Sequence, residues 1–347
     1  MNARITRRGL LSGAAALAAA PHAAAQGFAG LGAASGAFAQ PDRQTRITFP
    51  DDHAPHPRFR IEWWYITANL TTADGRECGV QWTLFRSAFS PGGTQAWMGH
   101  AALTTAEAHY PAERLARGDL GLAGVEVTPF DAWIDDWSMS GPDPREVRLR
   151  AAGENFAYDL QLDADGPFVL QGDAGYSVKS SEGQASHYYS QPFYLVSGRI
   201  MLPDGEAEVT GQAWMDREWS SQPLEGRQTG WDWFSLHLEG GHKLMGFQLR
   251  AGDETDFTAS TWIEPDGTAT AYPDGVFSVT PLATAQVEGR EIPVRWRIRL
   301  PDRGFDVEAG ALNDQAWMGL AFPYWEGPIG IAGSHGGRGY LEMTGYG

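Results

Sequence analysis

The sequence predicts an all-β protein built as two antiparallel β-barrels packed together, and three observations carry that expectation. From Phe59 onward, apolar periodicity of helical length is hard to find. Short alternating runs broken by Gly, Pro, Asp and Asn recur instead to the C-terminus. An aromatic-rich hairpin also occurs twice, and the 347 residues, with 14 Trp, 16 Phe and 11 Tyr, supply more apolar surface than one small core needs.

The N-terminus reads as an address. Thr6-Arg7-Arg8-Gly9-Leu10-Leu11 precedes an Ala/Leu-rich run to Ala20, and Ala23-Ala24-Ala25 has the small residues of a cleavage site. Paired arginines before a weakly apolar stretch point to the twin-arginine route, so residues 1–25 are expected to be a signal peptide for the periplasm. An ordinary secretory leader with an Arg-Arg pair is the alternative. Residues 26–45, rich in Gly and Ala, read as a flexible linker. The remainder divides into an N-terminal barrel domain, 46–222, and a C-terminal one, 223–347.

The formal charge is −17, and loss of a leader whose charged residues are Arg4, Arg7 and Arg8 makes it three units more negative. Nucleic acid is therefore not an expected partner, and anionic membrane surfaces repel the chain. No mature stretch is long and apolar enough for an integral membrane protein. The expected partner is an apolar small molecule; the sequence leaves the oligomeric state open. The single cysteine, Cys78, excludes an internal disulfide and a Cys-rich metal site, and reads as a buried small hydrophobe.

Strand by strand, Val80, Trp82 and Leu84 of Val80-Gln81-Trp82-Thr83-Leu84-Phe85 line one face, leaving Phe85 outward or in a second layer. In Trp231 to Leu238, Phe234, Leu236 and Leu238 share a face with Asp232, whereas Trp231, Trp233, Ser235 and His237 share the other. Apolar mass on both faces predicts a barrel wall with something packed outside it. The repeat pairs EWWYITANL, Asp74-Gly75 and GVQWTLFR with WDWFSLHL, Gly240-Gly241 and MGFQLR. Aligning Trp64 with Trp233 spaces the copies by about half the mature chain, as two barrels of similar size require.

The densest candidate site is Trp214-Met215-Asp216-Arg217-Glu218-Trp219. Asp216 and Glu218 sit two apart, so an extended segment turns both to one side with Trp214. Two carboxylates beside indoles make a place where burial and mutual repulsion raise one pKa into the range of a general acid. A solvated rim, with Arg217 and Glu218 paired to neighbours, is the structural alternative. His187 and Tyr189 share a face in Ser186-His187-Tyr188-Tyr189-Ser190, and the lone His reads as a packed residue or a proton carrier. Glu62, heading an aromatic strand, needs a partner if buried, with Arg60, Arg86 and Arg250 as candidates. Trp64, Trp219, Trp231, Trp233 and Glu218 are the candidate ligand-lining residues.

Other motifs carry less. Ala332-Gly333-Ser334-His335-Gly336 imitates a nucleophile elbow but lacks its first Gly and any β/α context. His53 and His56 have a metal-compatible spacing, yet Pro55 and the loop setting favour a solvated entry segment, so no metal is expected. No phosphate loop or dinucleotide fingerprint appears, and no cofactor is expected.

EWWYITANL, GVQWTLFR, GHAALT around His100, QPFYLVSGRI, GQAWMDREWSS, GWDWFSLHL and the tail YWEGPIGIAGSHGGRGYLEMTGY together cover nearly all of the mature chain. In these the chain resembles the family that groups carotenoid 1,2-hydratases with secreted AttH-type proteins, also called predicted secreted hydrolases. The resemblance implies two lipocalin-like barrels. For function it spans hydratases, periplasmic proteins and a distant fungal branch resembling pericyclases. In the hydratase branch a His-x-Trp and a Tyr-x-Asp pair are implicated, which His187-x-Tyr189 and Trp214-x-Asp216 resemble with both aromatics swapped. The resemblance implies Asp216 as proton donor, His187 as its partner or water-orienting group, and Tyr189 and Trp214 as cation-facing rings. Three readings follow: acid catalysis on an apolar alkene without a cofactor, a non-catalytic periplasmic binding protein, or hydrolysis by Asp216 paired with Glu218 or Asp232.

Overall fold

The computed structural model describes residues 38–118, 120–222, 224, 228–252 and 255–346. The leader and the first part of the linker lie outside the described residues. Apart from 3-10 turns at Asp51–His53 and Pro301–Arg303, the regular structure described is all strand, and no described helix is long and apolar enough to cross a membrane.

The first sheet contains β1 (Ile61–Thr72), β2 (Glu77–Ala88), β3 (Gln95–Thr105), β4 (His109–Arg117), β5 (Ala123–Val127), β6 (Phe130–Ile134), β7 (Trp137–Asp143), β8 (Glu146–Ala152) and β9 (Ala157–Ala164). It continues with the short β10 (Val169–Leu170) and β11 (Tyr176–Val178), then the long β12 (Ala185–Leu202) and β13 (Gly205–Ser220). Its spatial order is β4-β3-β2-β1-β13-β12-β9-β8-β7-β6-β5, with β10 and β11 laid against β12. The sheet curls until β6 packs on β2, β3 and β4, giving a nearly closed barrel.

The second sheet contains β14 (Gly230–Leu238), β15 (Lys243–Arg250), β16 (Phe257–Ile263), β17 (Ala269–Tyr272), β18 (Ser278–Val287), β19 (Arg290–Leu300), β20 (Phe305–Ala311), β21 (Trp317–Met318), β22 (Tyr324–Gly333) and β23 (Gly337–Met343). The order β17-β16-β15-β14-β23-β22-β20-β19-β18 forms a half-barrel. In each sheet the first strand pairs with both its hairpin partner and the last strand, β1 with β2 and β13, β14 with β15 and β23. That shared closure is the structural form of the repeat.

Alternation along the strands sorts the side chains into three layers. Trp64, Ile66, Ala68 and Leu70 of β1 meet Val80, Trp82 and Leu84 of β2 inside the first barrel, all but fully buried. Phe234, Leu236 and Leu238 of β14 join Trp296 and Trp325 in the second core. Between the barrels lies a third layer, with Tyr65, Trp214, Trp233, Phe247 and Tyr340 at its centre and Trp63, Phe85 and Trp231 at its margin. The first interior is thus filled with side chains. Gly79 marks the closest approach there: a Cβ on it would lie 2.7 Å from Tyr340 Oη and 2.9 Å from Pro328 Cγ.

The repeat aligned on Trp64 and Trp233 is one residue out of phase. Trp64 points into the first core and Trp233 into the layer between barrels. Shifting by one residue matches Glu62 with Asp232 and Trp64 with Phe234, each pair sharing an orientation, because a single-residue slip turns every side chain to the opposite face.

The segment before β1 also departs from expectation. His53 is buried, hydrogen-bonded through Nδ1 to Tyr189 Oη at 2.6 Å, and its carbonyl accepts from Trp64 Nε1 at 3.1 Å. His56 stacks on Trp219 at 4.0 Å. This segment is packed against the first barrel's core; it is not a solvated entry loop. Cys78 is buried as expected, and burial pushes its thiol up to about 11.

Candidate functional site: an acid-lined cleft between the barrels

Four adjacent strands of the first barrel present two cross-strand rows toward the second. Thr83, Tyr65, Asp216 and Ser190 are register partners from β2, β1, β13 and β12, and Phe85, Trp63, Glu218 and Tyr188 form the next row. The second barrel answers with Phe247, Trp233 and Glu342 in one row and with Trp231 beside Leu249. Most of these residues, with Lys179 and Leu224, line a narrow cleft with about 690 Å³ free of atoms when its open mouth is counted.

Asp216 sits on the first-barrel wall of this cleft and is 3% exposed. Its Oδ1 accepts from Ser190 Oγ at 2.5 Å and Trp214 Nε1 at 2.7 Å, and its Oδ2 from Tyr188 Oη at 2.5 Å. The donors are themselves oriented. Gln171 Nε2 donates to Ser190 Oγ at 2.8 Å, and Trp233 Nε1 donates to Tyr188 Oη at 3.1 Å. Burial pushes the Asp216 carboxyl up, the three hydrogen bonds pull it partly back and the nearby Glu218 charge raises it again, leaving it at about 7. At neutral pH such a group both holds and releases a proton.

The rest of the cleft is polarised around it. Glu218 accepts from Ser186 Oγ and pairs with Lys179 Nζ at 3.0 Å, while Lys179 lies over Phe247 at 4.3 Å and Tyr188 at 4.9 Å. Lys179 thus supplies Glu218 with a counter-charge. Glu342 Oε1 accepts from Trp231 Nε1 at 2.5 Å, and burial pushes that carboxyl up to about 7. Tyr65 Oη donates to Glu326 Oε1 at 2.5 Å, and its ring meets Trp233 edge-on at 5.2 Å.

Of the residues singled out from sequence, Asp216, Trp214, Glu218, Trp231 and Trp233 gather at the cleft and its floor. His187, Tyr189, Trp219 and Trp64 do not. His187 and Tyr189 alternate with Tyr188 and Ser190, so they point to the other side of β12, where His187 lies 5.3 Å from Trp219 and Tyr189 meets His53. Trp64 and Trp219 belong to the first core. Burial pushes the His187 imidazole down, and it sits among the rings of Phe59, Tyr176 and Trp219 with the Asp42 amide donating to its Nε2 at 3.4 Å, not against Asp216. The partners of Asp216 are Tyr188, Ser190 and Trp214.

Glu62 is fully buried and paired with Arg86 and also with Arg217, which was not among its expected partners; Arg250 instead holds Asp232 at 3.1 Å in the second barrel. Asp232 therefore faces away from the cleft and cannot pair with Asp216. Arg217 is no rim residue, since it is fully buried over the Trp64 ring at 3.8 Å. Ser334 lies exposed between β22 and β23, away from the cleft. Glu342, Tyr65, Trp63, Phe85 and Lys179 were missed. Trp63 and Tyr65 were recoverable from the alternation of β1, whereas Glu342 carried no local signal.

Two barrels clasping an aromatic cleft with buried carboxyls define a lipocalin-like two-barrel protein. The chain belongs to the AttH-like family, whose model matches residues 40–346. The structure is similar to that of a Nitrosomonas europaea protein described as an AttH, 33% identical with a TM-score of 0.80, covering 89% of this chain and 100% of that one. It also resembles kievitone hydratase from Nectria haematococca, 16% identical with a TM-score of 0.67 over 89% of this chain and 98% of the other. CghA, solved with Sch210972, is 11% identical with a TM-score of 0.56 over 90% and 95% of the two chains. These two likenesses concern the fold. No curated protein matches the sequence.

Proposed function

We propose that this protein is a cofactor-free enzyme of the hydratase type, which binds an apolar, alkene-bearing small molecule in the cleft between its barrels and protonates it from Asp216. The observation that carries the reading is a buried carboxyl, held near neutrality, facing a cavity walled by Trp63, Trp231 and Trp233. In the reaction the Asp216 proton adds to one alkene carbon and the π electrons form that C–H bond. The other carbon becomes cationic before the indole faces, which stabilise it by cation–π attraction. A water oxygen then bonds to that carbon, and the proton it loses returns to the Asp216 carboxylate, so that the net change is addition of one water. The hydratase among the structural neighbours supports a fold compatible with such chemistry.

One observation favours a second reading. Both oxygens of Asp216 are already hydrogen-bonded, as in a structural carboxylate, and a binding protein without turnover would keep that arrangement. Native mass spectrometry of protein from its own host separates the two. A recovered apolar ligand that gains one heavy oxygen when incubated with the protein in ¹⁸O water supports the enzyme, whereas a ligand returned unchanged supports the carrier.

We further propose export through the leader at 1–25, with the linker at 26–45 and barrel domains at 46–222 and 223–347. Replacing Arg7 and Arg8 by Lys is expected to leave the protein in the cytoplasm. Unchanged recovery in the periplasmic fraction would argue for the general secretory route.

A further inference from the structure

We infer that Glu342, contributed by the second barrel, is the second acid–base group of the cleft and forms with Asp216 of the first barrel a proton-sharing pair across it. This rests on the function proposed above and assigns the route of its last step, the return of a proton from the attacking water to Asp216.

The geometry singles out Glu342 among the carboxyls present. Glu218 is engaged by Lys179 at 3.0 Å, and Glu326 lines no part of the cleft. Glu342 lines the cleft, has among the described residues no counter-charge of its own but only the neutral donors Trp231 and Tyr65, and retains accessible surface there although its strand neighbours Leu341 and Met343 are fully buried. Its place opposite Asp216 is fixed by the sheets. Trp233 is the register partner of Glu342 and also donates to Tyr188, the hydroxyl that binds Asp216. The two carboxyls therefore flank one indole from opposite barrels.

The groups facing Glu342 are Asp216 and Glu218 from β13, Tyr65 from β1, Lys179 beyond β11, Trp231 from β14 and Glu326, its register partner on β22. The charges of Asp216 and Glu218 raise the Glu342 carboxyl. Two carboxyls that sense one another in an apolar cleft do not readily ionise together, so the pair tends to hold one proton at neutral pH. When Asp216 gives its proton to the alkene, Glu342 accepts one from water as the C–O bond forms. Transfer from Glu342 back to Asp216 then restores the pair, and the net change is addition of one water.

The test uses dicyclohexylcarbodiimide, an apolar reagent for protonated carboxyls, on the intact protein. The acid proton moves to a carbodiimide nitrogen as the carboxylate oxygen bonds to the central carbon, and the adduct rearranges to a stable acylurea read by peptide mass spectrometry. Wild-type protein is expected to be labelled near pH 7 at both residues, Glu342 in some molecules and Asp216 in others. In Asp216→Asn the pH midpoint of Glu342 labelling should fall by about one unit or more, and Glu342→Gln should lower that of Asp216 likewise. No labelling of Glu342 in wild type, or midpoints unmoved by the partner's substitution, would overturn the pair. Because this readout needs no substrate, it is separable from the function. A coupled pair without ¹⁸O incorporation leaves the pair standing and the hydratase reading failed, and uncoupled midpoints with turnover do the reverse.

Discussion

Asp216→Asn is expected to keep ligand affinity within a few-fold while turnover falls by roughly 10²–10⁴-fold, the usual weight of a positioned general acid. Asparagine is nearly isosteric and preserves an acceptor for Ser190 Oγ and Trp214 Nε1, so the cleft keeps its shape, but it has no transferable proton. Comparison of binding and rate on the ligand recovered from the host provides the measurement. Equal turnover in the variant would remove Asp216 from the chemistry.

The pH dependence gives an independent check. The folded pKa of Asp216, about 7, stands above its ordinary 3.8. Between these values the folded state retains a proton that the unfolded chain has released, so stability falls as pH rises through that window. The acid is also lost to catalysis above about 7. Asp216→Asn should therefore gain thermal stability relative to wild type at pH 8 compared with pH 4, whereas wild-type turnover should decline on the alkaline side.

The largest effect on stability is expected at Glu62. Its fully buried carboxylate is shared by Arg86 and Arg217, with the His56 amide and imidazole as further donors at 2.8 and 3.1 Å. Burial alone would push this group up, but the charges of Arg217 and Arg86 more than offset that and hold it well below the carboxylate range. Glu62→Gln leaves two buried guanidiniums without a counter-charge and should cost about 3–5 kcal/mol in urea unfolding. For a depressed pKa the stabilisation is present above the unfolded value near 4.5 and is lost as pH falls below it. The gap between wild type and variant should thus narrow in acid. A constant gap from pH 7 to pH 3 would mean that packing, not charge, holds this cluster.

The sequence by itself determined the strand content, the two-barrel architecture and the companionship of Trp214, Asp216 and Glu218, because a period of two places alternate residues on a common face whatever lies beyond. It also determined that β14 is sandwiched, since Phe234 and Trp233 put apolar mass on both faces. Periodicity does not say which face meets the core. His187 and Tyr189 correctly share a face, but their strand turns it toward the first barrel's core, and Tyr188 and Ser190, one step away, reach Asp216. Only the tertiary structure decided that Trp63 rather than Trp64 lines the cleft, that Arg217 reaches Glu62 across β1 and β13, and that Glu342 comes to the cleft. Each of these depends on strand register and on how two curved sheets dock. Such contacts join residues far apart in the chain and leave no mark in local spacing.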